Sequence, residues 1–303
     1  MSFEILAEGL QFPEGPIAMP DGSVILVEIK RGTLSRVWNG KIEVIATLGG
    51  GPNGAALGPD GAVYVCNNGG FEWHETMGLC IPGHAAHDYA GGRIERVDLA
   101  TGKFERVYDA VNGERLSGPN DIVFDKAGGF WFTDLGKTYR RHRDHGGLYY
   151  AKPDGSKIVE VAYPSIGWNG VGLSPDEKTV YAAETVSGKL WAFDIIGEAQ
   201  INPAAPGAPG RCVATQSTHV FFDSMAVQAN GDVCIATILN GGVTTITPAG
   251  VSSHTPFPDL LVTNICFGGA DMRDAFITLS GTGKLIKARW PEPGLKLNFA
   301  HYA

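Results

Sequence analysis

A short unit recurs six times along the chain, and this repetition is the feature that most restricts the possible folds. Each copy combines an apolar strand, a tight turn and a second strand rich in β-branched or aromatic residues. The turns and second strands read MPDGSVILVE (19–28), GPDGAVYVCN (58–67), DKAGGFWFTD (125–134), SPDEKTVYAAE (174–184), QANGDVCIAT (228–237) and ADMRDAFITLS (270–280). Their spacing of roughly 40 to 65 residues is typical of four-stranded blades. The sequence therefore predicts an all-β fold, a six-bladed β-propeller that forms a single domain over residues 1–303.

Glycine content supports many short strands. The chain has 42 glycines among 303 residues, which is about twice the ~7 % share of an average protein. Many of these glycines follow Asp or Asn in pairs that favour tight turns between strands. No stretch of twelve residues has the apolar spacing of an amphipathic helix. We therefore expect strands joined by turns throughout.

Charge and cysteine content limit the classes of binding partner and the cellular compartment that we expect for this protein. With 24 basic and 32 acidic side chains, the formal net charge is −8, which argues against nucleic-acid and anionic-membrane partners because both need basic patches. No apolar run approaches the ~20 residues of a membrane span, and the start MSFEILAEGLQ does not resemble a signal peptide. The five cysteines are odd in number and never in CxxC spacing, which indicates a reduced cytoplasmic protein. The sequence does not indicate an oligomeric state.

Polar residues occupy the same point of every repeat, just ahead of each inner strand. In a propeller these strands converge on a central channel, so we expect their first side chains to meet there. Six oxygen-bearing side chains at a rigid channel mouth would suit a hard cation. The alternative is turn chemistry, because Asn and Asp before Gly are common in turns. The six residues are Glu14, Asn53, Asn120, Asn169, Asp223 and Asn264.

Extra length falls outside the repeats, at residues 71–91 and 109–117, and a further loop is expected at AAPGAPG (204–210). The first insertion is rich in aromatic residues and histidines, and we expect a lid-like loop without strands of its own. Its histidines would either hold a second metal ion or form hydrogen bonds in a lid packed by aromatic rings. We expect His87 in this loop and Trp168 beside Asn169 to bind substrate.

The repeats and their inner strands together resemble the SMP-30/gluconolactonase/LRE-like (regucalcin-like) family of six-bladed propellers. The resemblance implies metal ligands at Glu14, Asn169 and Asp223, and substrate binding by Asn120 and, from its register, Asn53. Two positions depart from the family pattern: Ser224 replaces a frequent glycine, and Gly118 stands where animal sugar-lactonase members carry arginine. The matching segments are FPEGP (12–16), GGPNGAALGPDGAVYVCNNGG (50–70), GPNDIVFDKAGGFWFTD (118–134), WNGVGLSPDEKTVYAAET (168–185) and FDSMAVQANGDVCIAT (222–237).

The resemblance also implies an enzymatic activity, the hydrolysis of a small lactone. One divalent ion would polarise the carbonyl and activate water, with Asp223 guiding or accepting the proton. Ca²⁺ is the expected ion, and Zn²⁺, Mn²⁺, Mg²⁺ or Fe²⁺ are alternatives for the same ligands. The expected partner is thus a small-molecule substrate. Two alternatives stay open: another Lewis-acid reaction at the same site (phosphotriester hydrolysis, a lyase or an isomerase step), or a non-catalytic propeller that binds a ligand.

Overall fold

All regular structure in the part of the chain that the computed structural model describes, residues 1–202, 205 and 208–300, is β-strand. None of these residues belongs to a helix long and apolar enough to cross a membrane. The strands of the first half are β1 (Phe3–Glu8), β2 (Pro13–Ala18), β3 (Val24–Glu28), β4 (Thr33–Trp38), β5 (Lys41–Thr47), β6 (Pro52–Leu57), β7 (Val63–Asn67), β8 (Phe71–Thr76), β9 (Leu79–Ala85), β10 (Arg93–Val97), β11 (Phe104–Tyr108), β12 (Ala110–Val111), β13 (Glu114–Arg115), β14 (Pro119–Phe124) and β15 (Phe130–Asp134).

The second half continues the same pattern of short strands. The loop expected at 204–210 lies partly outside the described residues, so that prediction is not tested. The strands are β16 (Gly146–Ala151), β17 (Ile158–Ser165), β18 (Trp168–Leu173), β19 (Thr179–Glu184), β20 (Lys189–Gly197), β21 (Gln200–Ile201), β22 (Arg211–Thr215), β23 (Phe221–Val227), β24 (Val233–Ile238), β25 (Gly242–Ile246), β26 (Ser252–Pro256), β27 (Val262–Gly268), β28 (Asp274–Leu279) and β29 (Lys284–Arg289).

Six antiparallel sheets form the blades of a propeller, as the repeats predict. The first blade contains β2 to β5, the second β6, β7, β10 and β11, the third β14 to β17, the fourth β18 to β22, the fifth β23 to β26, and the sixth β27 to β29 with β1. The innermost strands are β2, β6, β14, β18, β23 and β27, and each of them contacts the innermost strands of both neighbouring blades. The contact between β27 and β2 closes the ring. The predicted all-β, six-bladed fold is therefore confirmed.

The first strand of the chain completes the last blade. Strand β1 pairs with β29 in antiparallel register, with Phe3 opposite Ala288 and Glu8 opposite Lys284. Hydrogen bonds of this strand therefore join the first residues of the ring to its last blade, which reinforces the contact between β27 and β2.

Apolar side chains fill the spaces between neighbouring blades. Between the second and third blades, for example, Tyr64, Phe124 and Phe130 form one aromatic group with ring centroids 5.2 to 5.9 Å apart. Similar clusters lie between the other blades. Burial of this apolar area between sheets is the main force that holds the ring together.

The insertion at 71–91 contains a strand pair, so the prediction of a loop without strands was wrong. Strands β8 and β9 form an antiparallel hairpin whose turn is Met77–Gly78. Both turn residues have positive φ, 52° and 74°, which is the conformation that a two-residue hairpin turn requires. The segment 109–117 contains a second small hairpin, β12 and β13, which turns at Asn112–Gly113 with φ of 53° and 86°. Extra chain length in this fold is thus organised locally by residue–glycine turns.

Each innermost strand has an irregular register near its first residues. The ladder to the second strand of the blade shifts at this point in all six blades. Such bulges leave residues unpaired and redirect their side chains. The backbones of neighbouring inner strands also approach closely here: a Cβ built on Gly54 would lie 2.4 Å from the carbonyl oxygen of Asn120 and 2.6 Å from the Cα of Asp121. Glycine at this position therefore permits the ring to close around a narrow channel.

We expect the substitution Gly54→Ala to destabilise the protein by about 1–3 kcal/mol, the usual cost of overpacking, because the added methyl group meets backbone that cannot move aside. Chemical denaturation with urea would measure the change. Gly197→Ala is the matched control, since its Cβ would approach the flexible side chain of Gln200 at 3.3 Å. Equal stability of the two variants would contradict the close approach of the inner strands.

Candidate active site

The six polar residues lie among the first residues of the six inner strands, at the same end of the central channel. All six are buried, and each comes from a different blade. Each lies at the bulge of its strand, where a register shift redirects side chains. That they hold one metal ion together stays a prediction. The residues are Glu14, Asn53, Asn120, Asn169, Asp223 and Asn264.

Glu14 joins the first and last blades. Its Oε2 accepts hydrogen bonds from the backbone N–H of Gly15 and from Nδ2 of Asn264, both at 2.7 Å. Burial, together with the nearby carboxylate of Asp223, raises the pKa of Glu14 well above its ordinary value, and the two hydrogen bonds oppose that shift. Asn264 therefore orients the Glu14 carboxylate, whose ionised form is disfavoured by burial.

Asp223 and Asn169 form the second part of the site. Burial raises the pKa of Asp223 to about 7, a hydrogen bond from Asn169 opposes the shift, and the charge of Asp121 adds to it. The hydroxyl group of Ser224 donates to Oδ1 of Asn169 at 3.5 Å. Ser224, which departs from the glycine frequent in the family, thus contacts the oxygen atom that was predicted to bind metal.

Asp121 is a third buried carboxylate at the channel, and the sequence analysis did not assign it a role. Its Oδ1 accepts from the backbone N–H of Ile122 at 3.0 Å, and its Oδ2 accepts from that of Val171 in the next blade at 3.2 Å. Burial raises the pKa of Asp121 to about 7. The signal was present in the repeat, because the equivalent position is glycine in three of the six copies.

Asn120 has a polar atom without a partner. Its side chain is 2 % exposed, and its Oδ1 makes no hydrogen bond. A buried carbonyl oxygen of this kind is costly unless a ligand or water satisfies it. Two residues earlier, a Cβ on Gly118 would lie 2.7 Å from the carbonyl oxygen of Gly136. The backbone therefore leaves little room for the arginine that some family members carry at this position.

The donor set fits a hard cation. The charges of Asp121 and Asp223 raise the pKa of Glu14, and that of Asp121 raises the pKa of Asp223, so a positive ion placed beside these groups would lower the electrostatic energy. The unpartnered Oδ1 of Asn120 is a further neutral oxygen donor. The described residues contain no cluster of three or more His, Cys, Asp or Glu side chains arranged for metal binding. The predicted set differs from such a cluster because one of its three ligands is an amide.

Two residues predicted to bind substrate lie elsewhere. Trp168 is 1 % exposed and packs edge-on against Phe193 at 5.2 Å in the core between the third and fourth blades. The side chain of His87 is 94 % exposed and lies 3.4 Å from the carboxylate of Glu72. The structure therefore does not bring either residue to the group of buried carboxylates.

The β8–β9 hairpin extends from the second blade to the first and last blades at the same end of the ring. Trp73 packs on Phe12, just before β2, with ring centroids 5.1 Å apart. The backbone N–H of Cys80 donates to the carbonyl oxygen of Gly281 at 2.9 Å, and Leu261 contributes to the same apolar cluster. Because it is anchored on both sides, the hairpin is placed to cover the channel mouth.

Below the carboxylates the channel contains a cavity of about 140 Å³. Asp121 and Asn264 line its upper part, and residues 295–298 close its lower part. Apolar side chains of the inner strands form much of the remaining wall, together with polar residues such as Ser174 and Asn298. Burial is the largest contribution to the raised pKa values of Asp121 and Asp223.

Comparison with known proteins agrees with the fold. The family model described as SMP-30/Gluconolactonase/LRE-like region matches residues 12–281, so the chain belongs to this family. A gluconolactonase of Zymomonas mobilis is 24 % identical over 217 residues, 63 % of this chain and 54 % of the relative. Lactonase drp35 of Staphylococcus saprophyticus is 31 % identical over 196 residues, 64 % of this chain and 54 % of the relative. The chain spans about half the length of these curated relatives, 54 % in both cases.

Solved structures share the propeller. A gluconolactonase from Xanthomonas campestris superimposes with a TM-score of 0.73 at 22 % identity, over 96 % of this chain and 89 % of that one. A protein described as a calcium-binding regucalcin, from Agrobacterium tumefaciens, gives a TM-score of 0.71 at 17 % identity, over 98 % of both chains. At these identities the likeness shows the fold.

The raised carboxylate pKa values predict the pH dependence of stability without metal. Asp121 and Asp223 hold protons to about pH 7 in the folded protein, against an ordinary pKa of 3.8. The folded state therefore binds more protons than the unfolded chain between these values, and stability falls as the pH rises through this range. In EDTA we expect the Tm to be about 2–6 °C lower at pH 8 than at pH 6.

The variant Asp223→Asn separates this effect from other titrations, because it removes one raised pKa with little change of shape. Its Tm should depend less on pH than that of the wild type. Differential scanning calorimetry at both pH values would measure this. Wild type and variant with the same pH dependence would show that Asp223 does not titrate as described.

Proposed function

We propose that the protein is a metal-dependent hydrolase that opens a small lactone ring. The observation that carries this proposal is the convergence of two buried carboxylates and an amide, Glu14, Asp223 and Asn169, on one channel mouth. Maintaining buried like charges is costly for a folded protein unless a ligand compensates for them. Family membership supports the chemistry, because curated relatives are named gluconolactonase and lactonase.

Glu14, Asn169 and Asp223 would hold one divalent ion. When bound, the ion supplies a Lewis acid, which polarises an ester carbonyl and acidifies water. Oxygen ligands favour Ca²⁺, and the solved neighbour described as a calcium-binding regucalcin supports the same choice. Zn²⁺, Mn²⁺, Mg²⁺ and Fe²⁺ are alternatives that the same ligands accept.

The side chains of this chain divide the remaining work. Asp223 guides or accepts the proton of the attacking water at a carboxylate oxygen. Asn120 and Asn53 hold the oxygen atoms of the substrate, since both amides lie buried at the channel mouth. The β8–β9 hairpin acts as a lid and excludes bulk water. Trp168 and His87 have no role in this proposal, because Trp168 is buried in the core between two blades and His87 is exposed on the insertion.

The substrate is a small lactone, derived from a sugar or an aromatic compound. The acidic net charge of −8 gives no reason to expect a nucleic-acid or membrane partner. The five cysteines are free, which supports a reducing compartment such as the cytoplasm. The same site would also serve phosphotriester hydrolysis, a lyase step or an isomerase step, or hold a ligand without turnover.

Metal removal tests the proposal. We expect the purified protein to hydrolyse at least one member of a panel of sugar and aryl-fused lactones, to lose this activity in EDTA, and to regain it when Ca²⁺ or another divalent ion is added. Glu14→Gln and Asp223→Asn should each lower kcat/KM by about 10²-fold or more, the size of effect seen when charge stabilisation at a reacting group is lost. A pH-indicator assay measures the acid released.

Glu43→Gln is the matched control, because Glu43 is exposed on β5, away from the channel. The panel also includes an aryl ester and a phosphotriester. Activity that survives EDTA and both site variants would overturn the mechanism. Turnover of the phosphotriester alone, or tight metal binding with no turnover, would favour one of the alternatives.

A further inference from the structure

Lys137 is buried in the loop that follows β15. Its side chain is 1 % exposed. Its ammonium group donates to Oδ1 of Asn68 at 3.1 Å and lies 3.8 Å from the ring centroid of Phe71 and 5.4 Å from that of Tyr89. An ammonium group has three N–H donors, so the hydrogen bond to Asn68 leaves two of them for another acceptor.

The carboxylate whose charge acts on Lys137 already accepts hydrogen bonds from the backbone. Asp134 acts on Lys137 through its charge. However, its carboxylate oxygens accept from three backbone N–H groups at 2.7 to 2.8 Å, those of Ser117, Gly118 and Gly136. The lysine is therefore attracted by Asp134 without forming an ion pair with it.

Asn68 contributes a second donor. Its Oδ1 accepts from Lys137 and from the backbone N–H of Gly70 at 2.9 Å, so its Nδ2 is the free end of the amide. That Nδ2 is buried and makes no hydrogen bond. Asn68 itself is 2 % exposed. The ammonium group has two N–H donors beyond its hydrogen bond to Asn68, and beside the unsatisfied amide N–H they match the two oxygens of a carboxylate.

The strand pairing shows at which end of the ring these donors lie. Asn68 follows β7, whose last residue pairs with Pro52 of β6. Lys137 lies three residues after β15, whose last residue pairs with Pro119 of β14. Each proline is followed at once by the channel-mouth asparagine of its blade. The donors therefore lie at the same end of the second and third blades as the amides proposed to hold substrate.

We propose that Lys137 and Asn68 form a subsite for a carboxylate group, and that the substrate is a lactone that carries a carboxylate on its ring. That the substrate is a lactone rests on the proposed function, whereas the binding of a carboxylate does not. The isolated positive charge attracts an anion, and the neighbouring amide fixes its orientation. A neutral sugar lactone would leave both donors unsatisfied.

Entry of the carboxylate involves the insertion. Phe71 and Tyr89, which cover the ammonium group, lie at the two ends of segment 71–91. Gly70, just before that segment, and Gly91, its last residue, have φ of 95° and 104°, a region that side-chain-bearing residues rarely adopt. Recognition of the carboxylate and closure of the hairpin would thus concern the same residues.

The burial of Lys137 also affects its protonation. Burial lowers the pKa of Lys137 to about 7, and the charge of Asp134 opposes this shift. A bound carboxylate would favour the charged form, so binding and protonation would support each other.

Calorimetric titration tests the subsite directly. Glutarate is the probe and glutaramide its neutral counterpart, each titrated into the full chain with and without Ca²⁺. We expect glutarate to bind and glutaramide not to bind. Lys137→Met and Asn68→Asp should each weaken glutarate binding by about tenfold or more, the effect of losing a charge-assisted hydrogen bond. Asn68→Asp keeps the shape of the side chain and places a negative charge beside Lys137, so it remains informative if Lys137→Met fails to fold.

Lys103→Met is the matched control, because Lys103 is exposed in the turn between β10 and β11 of the second blade. It should bind glutarate as the wild type does. Absence of glutarate binding to the wild type, or equal binding by wild type and both site variants, would overturn the subsite.

Turnover separates this inference from the proposed function. We expect Lys137→Met to lower kcat/KM by about tenfold or more for the γ-lactone of 2-hydroxyglutarate, with no change for γ-valerolactone, which lacks the carboxylate. Equal effects on both lactones would refute a role in carboxylate recognition while leaving lactone hydrolysis intact. If neither lactone is hydrolysed but glutarate binding depends on Lys137 and Asn68, the proposed function fails and the anion subsite stands.

Discussion

Closure of the ring is the constraint on which the rest of this structure depends, and the same seam builds the active site. Strand β1 hydrogen-bonds to β29, and β27 packs on β2, so the last blade is held on two sides. At the channel end of this seam Asn264 donates to Glu14 at 2.7 Å. The hydroxyl group of Thr263 also contacts the carbonyl oxygen of Pro13 at 3.4 Å. An unclosed ring would therefore lose the hydrogen bond that orients the Glu14 carboxylate as well as the contacts between β27 and β2.

The candidate site places three acidic side chains where they are shielded from solvent. Glu14, Asp121 and Asp223 belong to the first, third and fifth blades. The charges of Asp121 and Asp223 act on Glu14, and that of Asp121 acts on Asp223. Such an arrangement lowers stability without a ligand and gains strongly when a cation binds. Stability and function are thus opposed at this point of the fold, as is common where charged groups are kept for chemistry rather than for structure.

The sequence was sufficient for the fold, because the six inner strands follow from position in a repeat. The six inner strands and the channel-mouth residues occupy equivalent positions, so periodicity alone locates them. Residues outside the repeat were predicted poorly. The strands of the 71–91 insertion depend on the Met77–Gly78 turn, a weak signal in sequence. Trp168 lies next to Asn169 in sequence but points into the core, because neighbouring residues of a strand face opposite sides. Lys137 and Asn68 meet only through the packing of two blades.

The position after each channel-mouth residue breaks the six-fold equivalence of the ring. It is glycine in the first, second and fourth copies, where the next backbone lies within 3 Å of a built Cβ, and Asp121, Ser224 and Ile265 in the others. An ideally symmetric funnel would offer a bound molecule six indistinguishable orientations. The larger side chains belong to the third, fifth and sixth blades, so the six orientations are no longer equivalent, and an asymmetric molecule meets a different wall in each of them.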